Sequence, residues 1–179
     1  YEISACLVGS EMCIRDSPGL QGGPHMNAVA ALAVTLLKAQ GDEFRQYAQQ
    51  VLKNAQALAK TLLGHQGHLV TGGTDNHMMV LDTMKTYDLD GRVAEETLDK
   101  ASITTNKQII PDDPNPPLRP SGLRIGTPAA TARGMNEEHM EQLGQWIHEC
   151  LYSHDDEDHL AAVCNEVETF CQQFPVPGI

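Results

Sequence analysis

The 179-residue chain is short of positive charge: 12 Lys and Arg stand against 24 Asp and Glu, a net charge of -12. Phosphate backbones are gripped by clustered Lys and Arg, and no basic stripe runs through this sequence, so nucleic acid is an unsuitable partner. No apolar run reaches the length of a membrane span, and membrane partners are set aside on the same footing. Five cysteines, an odd number without framework spacing, read as reduced thiols, which fits an acidic cytoplasmic protein. Cys164 and Cys171 stand seven residues apart and are expected on one helix face as small hydrophobes. There is no Walker loop, no G-x-G-x-x-G and no G-x-S-x-G nucleophile elbow. The histidines lack zinc spacing: Gly64 and Gly67 interrupt the pair His65 and His68, while His154 and His159 are expected to face water. No metal site is expected.

What is present is pattern. From Pro24 an Ala- and Val-rich helix runs to Ala39 and closes at Gly41. Asp42 can cap a second helix, whose residues Phe44, Tyr47, Val51, Ala55, Leu58 and Leu62 mark one buried face before Gly64. A short strand at 68–70, a Gly72-Gly73 turn and a strand at 77–82 follow, with Met78 and Met79 as core filler. Asp90 to Ala101 reads as an amphipathic helix turning Val93, Ala94, Leu98 and Ala101 inward. Five prolines between Ile110 and Pro120 forbid regular structure there. Asn136 caps a helix with Met140, Leu143, Ile147 and Leu151 inward, and the acidic run 155–158 opens the last helix, whose dipole it complements. Strands interleaved with helices make an α/β domain.

The most informative stretch is Ser121-Gly-Leu-Arg-Ile-Gly-Thr-Pro-Ala129. Leu123 and Ile125 alternate with Arg124 and Gly126, so a strand here turns two apolar residues one way and the arginine the other. Gly126 leaves room beside the guanidinium, and Thr127 and Pro128 suit the N-cap and first position of a following helix. A guanidinium on a rigid strand is a two-pronged receptor for a carboxylate, either a ligand's or that of a structural Asp or Glu. Gln21-Gly22-Gly23-Pro24, two glycines before a proline-led helix, is a possible anion loop as well as an ordinary flexible entry.

Taken together, the segments PGLQGGPHMN (18–27), VLKNAQALA (51–59), VTGGTDNHMMVLD (70–82) and ITTNKQIIPDDPNPPLRPSGLRIGTPAATARG (103–134), in that order, resemble serine hydroxymethyltransferase. The likeness covers residues 18–179 and corresponds to the C-terminal part of that family. The resemblance implies a fold-type I pyridoxal phosphate enzyme, a homo-oligomer, interconverting serine and glycine while passing a one-carbon unit to tetrahydrofolate. It implies that residues 18–63 hold the cofactor-phosphate loop and connecting helices, one of them from the large domain, and that 64–179 form the small C-terminal domain. By the same resemblance Arg124 holds the substrate carboxylate, and Gly22 and Gly23 reach the cofactor phosphate. Pro116, Pro117 and Leu118 line the folate site, where the family commonly has Ser-Pro-Phe, and Gln108 stands where many members have a pterin-contacting Asn. Gly72 to His77 reads as turn architecture.

The family's Schiff-base lysine lies upstream of the glycine loop, and none of Lys38, Lys53, Lys60, Lys85, Lys100 or Lys107 has its context. The chain alone is therefore expected to be inactive. Residues 1–17, YEISACLVGSEMCIRDS, show no periodicity and resemble translated adapter sequence joined to a gene fragment. The competing expectation is a non-catalytic binding or dimerisation module derived from that enzyme.

Overall fold

The computed structural model describes residues 25–177, and the leader as well as Gly22 and Gly23 lie outside them. The chain divides into two units, residues 1–45 and 46–179. In the first, α1 (Met26–Ala39) is an Ala-rich helix that ends as Gly41 N–H bonds back to the carbonyl of Lys38.

The second unit carries the sheet. Its elements after α2 (Asp42–Gly64) are β1 (His68–Leu69), β2 (Met78–Asp82), α3 (Thr83–Tyr87), α4 (Gly91–Lys100), β3 (Asn106–Gln108), β4 (Gly122–Gly126), α5 (Pro128–Ala132), α6 (Glu137–Tyr152) and α7 (Glu157–Cys171). The strands lie in the order β1-β2-β4-β3, with every neighbouring pair antiparallel. This agrees with an α/β reading in its mixture of helix and sheet, and it specifies the sheet as antiparallel.

Period-two alternation gives the sheet a wet side and a dry side. Leu69, Met79, Leu81, Leu123 and Ile125 are buried with Ala55, Leu58 and Leu62 of α2, Leu98 of α4, Met140 and Ile147 of α6 and Leu160 and Val163 of α7. Burying each of these Leu and Ile side chains contributes about 1.5–3 kcal/mol. Phe44 does not join them and stays 47% exposed, and Met78 falls on the sheet's other face.

Two elements have no counterpart in the sequence expectations. The helix α3 is nucleated by Asp82, whose carboxylate accepts from the backbone N–H of Lys85. The strand β3 reads Asn-Lys-Gln, and a strand without apolar residues carries no hydrophobic signature. The cap expected at Asn136 is made by its side-chain oxygen, in a full capping box with His139. Asp90 and Asp156 also cap their helices through side-chain oxygens, while Asp42, expected as a cap, is the first residue of α2 itself. Thr127 takes the expected N-cap position with Pro128 first in α5, but its hydroxyl makes no cap bond and donates to the carbonyl of Val51 at 3.0 Å, tying the end of β4 to α2. His159 is also a correction, because its Nε2 is buried without a hydrogen-bond partner rather than facing water.

α2 holds the segment after β4 at four further points. Tyr47 Oη donates to the carbonyl of Pro128, and Gln50 Nε2 reaches Glu137 at 2.8 Å. Asn54, fully buried, donates to Thr131 Oγ1 and to the carbonyl of Met135. A buried amide keeps its place only when its hydrogen bonds are met, so this network fixes β4 firmly against the helix.

Candidate functional site

The open face of the sheet is where the chemistry-bearing residues meet. The register sets Val80, Arg124 and Asn106 in one row across β2, β4 and β3, with Asp82, Gly122 and Gln108 in the next. Alternation puts all six on the side away from the core. Arg124 is exposed there, and its Nη2 donates to Asn106 Oδ1 at 3.1 Å. Among the described residues no carboxylate forms an ion pair with it. The structural-partner alternative, an internal Asp or Glu on the arginine, is therefore not what these residues show.

Glycine flanks Arg124 at both neighbouring positions of its own strand face. At Gly122 a Cβ would meet Ile110 Cγ2 at 2.7 Å and the carbonyl of Gln108 at 2.8 Å, so that glycine lets the next segment close over the sheet. At Gly126 a Cβ would find its nearest neighbour, the carbonyl of His77, at 3.4 Å, an ordinary contact. Packing does not require a glycine at 126; its effect is to leave an exposed gap beside the guanidinium.

The proline-rich segment borders this face and is tied by one carboxylate. Asp113 accepts from the backbone N–H groups of Ile110, Asn115 and Ser121 and from the Ser121 hydroxyl at 2.6 Å. Desolvation works to raise its pKa, but these hydrogen bonds outweigh it and bring the group to about 2. Arg119 clamps the far end of the segment onto Asp90, the N-cap of α4. Between the two anchors Pro116, Pro117 and Leu118 are exposed, Leu118 at 80%. Gln108 is half-buried on the Arg124 face, its Nε2 bonded to the carbonyl of Ile109. The structure thus brings Arg124 and Gln108 onto one face, with Pro116 to Leu118 on the segment that leads into it.

Asn106 is the residue the sequence reading passed over. Its strand, Asn-Lys-Gln, is polar throughout, and nothing in the spacing of these residues marks it.

The 72–77 segment is a self-bonded turn. Gly72 has φ +70°, Thr74 Oγ1 donates to the carbonyl of Met78 at 2.6 Å, and Asn76 Oδ1 accepts from Met78 N–H at 2.9 Å. Among the described residues no group of three His, Cys, Asp or Glu could hold a metal ion, and no helix is long and apolar enough to cross a membrane.

A family model described as serine hydroxymethyltransferase matches residues 11–147. Serine hydroxymethyltransferase 2 of Mesorhizobium japonicum is 48% identical over 162 residues, which are 90% of this chain and 37% of that relative. The serine hydroxymethyltransferases of Sorangium cellulosum, 46% identical over 162 residues, and Acidobacterium capsulatum, 48% over 161, each share 90% of this chain and 38% of their own length. The chain spans less than two-fifths of these curated relatives. An identity of this size over 90% of the chain, together with the family match over residues 11–147, shows that the chain belongs to the serine hydroxymethyltransferase family.

Proposed function

We propose that this chain is the C-terminal part of a pyridoxal phosphate-dependent transferase that interconverts serine and glycine and passes a one-carbon unit to tetrahydrofolate. The observation that carries the reading is Arg124: a guanidinium on a central strand, paired only with a neutral amide among the described residues, next to an open glycine gap. Such a group binds a carboxylate through two parallel N–H···O bonds and fixes its orientation, which the amino-acid substrate of this reaction requires. Gln108 on the same face and the exposed Pro116, Pro117 and Leu118 would contact folate. The small C-terminal domain is the part of the transferase to which residues 64–179 correspond, and a homo-oligomer in the cytoplasm is the setting the family implies.

The cofactor supplies an electron sink for the amino acid's α-carbon when bound. The lysines around the sheet do not point to its aldehyde. Lys107 alternates onto the other face, where it is paired with Glu95. Lys85 stands against His68 at the β1 edge, two strands from Arg124, and Lys100 is paired with Glu157. This chain's own work is to bind and orient the carboxylate, not to carry the amine.

The test is direct. The purified 179-residue chain, mixed with pyridoxal phosphate and serine, is expected to give neither a Schiff-base absorption band nor glycine. Either signal would overturn the reading. Sequencing the genomic DNA upstream of codon 18 separates this from a non-catalytic module: a continuous frame with a lysine-bearing motif supports the enzyme, and a start codon feeding the present leader refutes it.

A further inference from the structure

We propose that Asn106 is a positioning residue for Arg124, holding the guanidinium in the orientation that receives a carboxylate while leaving its charge uncompensated. The inference rests on the carboxylate reading above and goes beyond it by naming what aims the arginine.

Antiparallel pairing puts Asn106 directly opposite Arg124, and the contact runs from Nη2 to Oδ1 at 3.1 Å. An arginine on an open sheet face has many rotamers, and a ligand that must freeze them binds less tightly than one that finds them already fixed. The guanidinium has five donors in a rigid fork; Asn106 takes one from a single nitrogen and leaves donors of the fork available.

The choice of an amide matters because an Asp would anchor the arginine equally well and cancel its charge. The acidic groups adjoining the β3–β4 pair are committed elsewhere. Glu95 pairs with Lys107 on the other face, Asp113 gathers the N–H groups of its own segment, and Asp82 accepts from Lys85 N–H. What remains for Arg124 is a neutral acceptor on one side and the apolar Val80 on the other.

The experiment joins residues 18–179 to the part of the Mesorhizobium japonicum relative that this chain leaves unmatched, and measures serine KM and kcat. Asn106→Ala is expected to raise KM about tenfold with kcat within about twofold, the loss of one hydrogen bond to a charged group. In an Arg124→Ala background the same change is expected to add less than about twofold, because its effect travels through the arginine. Asn106→Asp is expected to raise KM further than Asn106→Ala, since it keeps the acceptor but compensates the charge. KM unmoved by Asn106→Ala, or effects of the two alanines that multiply in full, would overturn the positioning role and leave the carboxylate reading standing. KM unmoved by Arg124→Ala would instead remove the carboxylate reading itself. Independently of the fusion, NMR of the 179-residue chain reads the Arg124 guanidinium directly. Hindered rotation of its N–H groups is expected to be lost in Asn106→Ala, and identical line shapes in both proteins would refute the proposal.

Discussion

Thr105 buries a hydroxyl that has no hydrogen-bond partner, one position before the residue that meets Arg124. An unsatisfied buried hydroxyl costs more than the isosteric methyl that could replace it. Thr105→Val is therefore expected to stabilise the protein by about 1 kcal/mol in urea unfolding. A loss of stability would mean that the hydroxyl is bonded after all. At this scale the sequence was a good guide where a residue's role follows from chain-local pattern. The two faces of the Arg124 strand, the cap at Asn136 and the acidic first turn of α7 were all legible. Asn54 was not, because an amide on an apolar helix face reads as solvent-exposed until the carbonyl it serves, Met135, is folded against it. Thr127 does stand at the N-cap, but its hydroxyl's choice of a partner 76 residues away was hidden for the same reason.

Among the elements, α4 shows how closely the sheet and its helices are fitted. Gly91, its first residue, donates to the carbonyl of Pro120 at 2.6 Å, and a Cβ there would lie 2.4 Å from the carbonyl of Gly122. Both obstacles are backbone and cannot rotate aside. Gly91→Ala is expected to force α4 away from β4 and lower the melting temperature by roughly 5–10 °C. Unchanged melting would show that the helix start has slack. Elements with an apolar stripe were readable in advance, and their ends came within a residue or two. β3 was invisible because its pairing with β4, and not its composition, makes it a strand. The proline-rich segment was correctly irregular, but the carboxylate of Asp113 that organises it is a single polar residue in a polar run, with nothing in its spacing to mark it.

For the whole molecule, the ionisable groups predict how stability follows pH. His148 of α6 stacks on His65 at 4.3 Å and meets Tyr87 Oη at 3.1 Å, with Tyr152 at its edge. Burial first, and the neighbouring His65 second, hold its pKa below the ordinary 6.5, with Glu149 acting weakly the other way. Its unfolded form takes up a proton more readily than its folded form. The contribution of neutral His148 is thus complete above pH 6.5 and is lost as the pH falls through 6.5 toward the lower folded value. Melting temperature is expected to decline across that window, and His148→Phe is expected to flatten the decline; an equal slope in the variant would refute the assignment. A second loss is expected far lower. Asp113 stabilises the fold above its unfolded value of 3.8, and that contribution disappears as the pH drops toward about 2. Asp113→Asn is expected to remove this acid step.

The meeting of Arg124 with Asn106 has one more implication. A pleated ribbon offers each residue only two sides, so sliding β3 by a single place would bring Lys107 to the spot where Asn106 now stands. Cation would then confront cation, and the surface that welcomes an anion would be scrambled. The odd-even phase of the strands joined by the 109–121 connection is consequently fixed, and any insertion there must be absorbed as slack in the loop instead of as a shift in pairing.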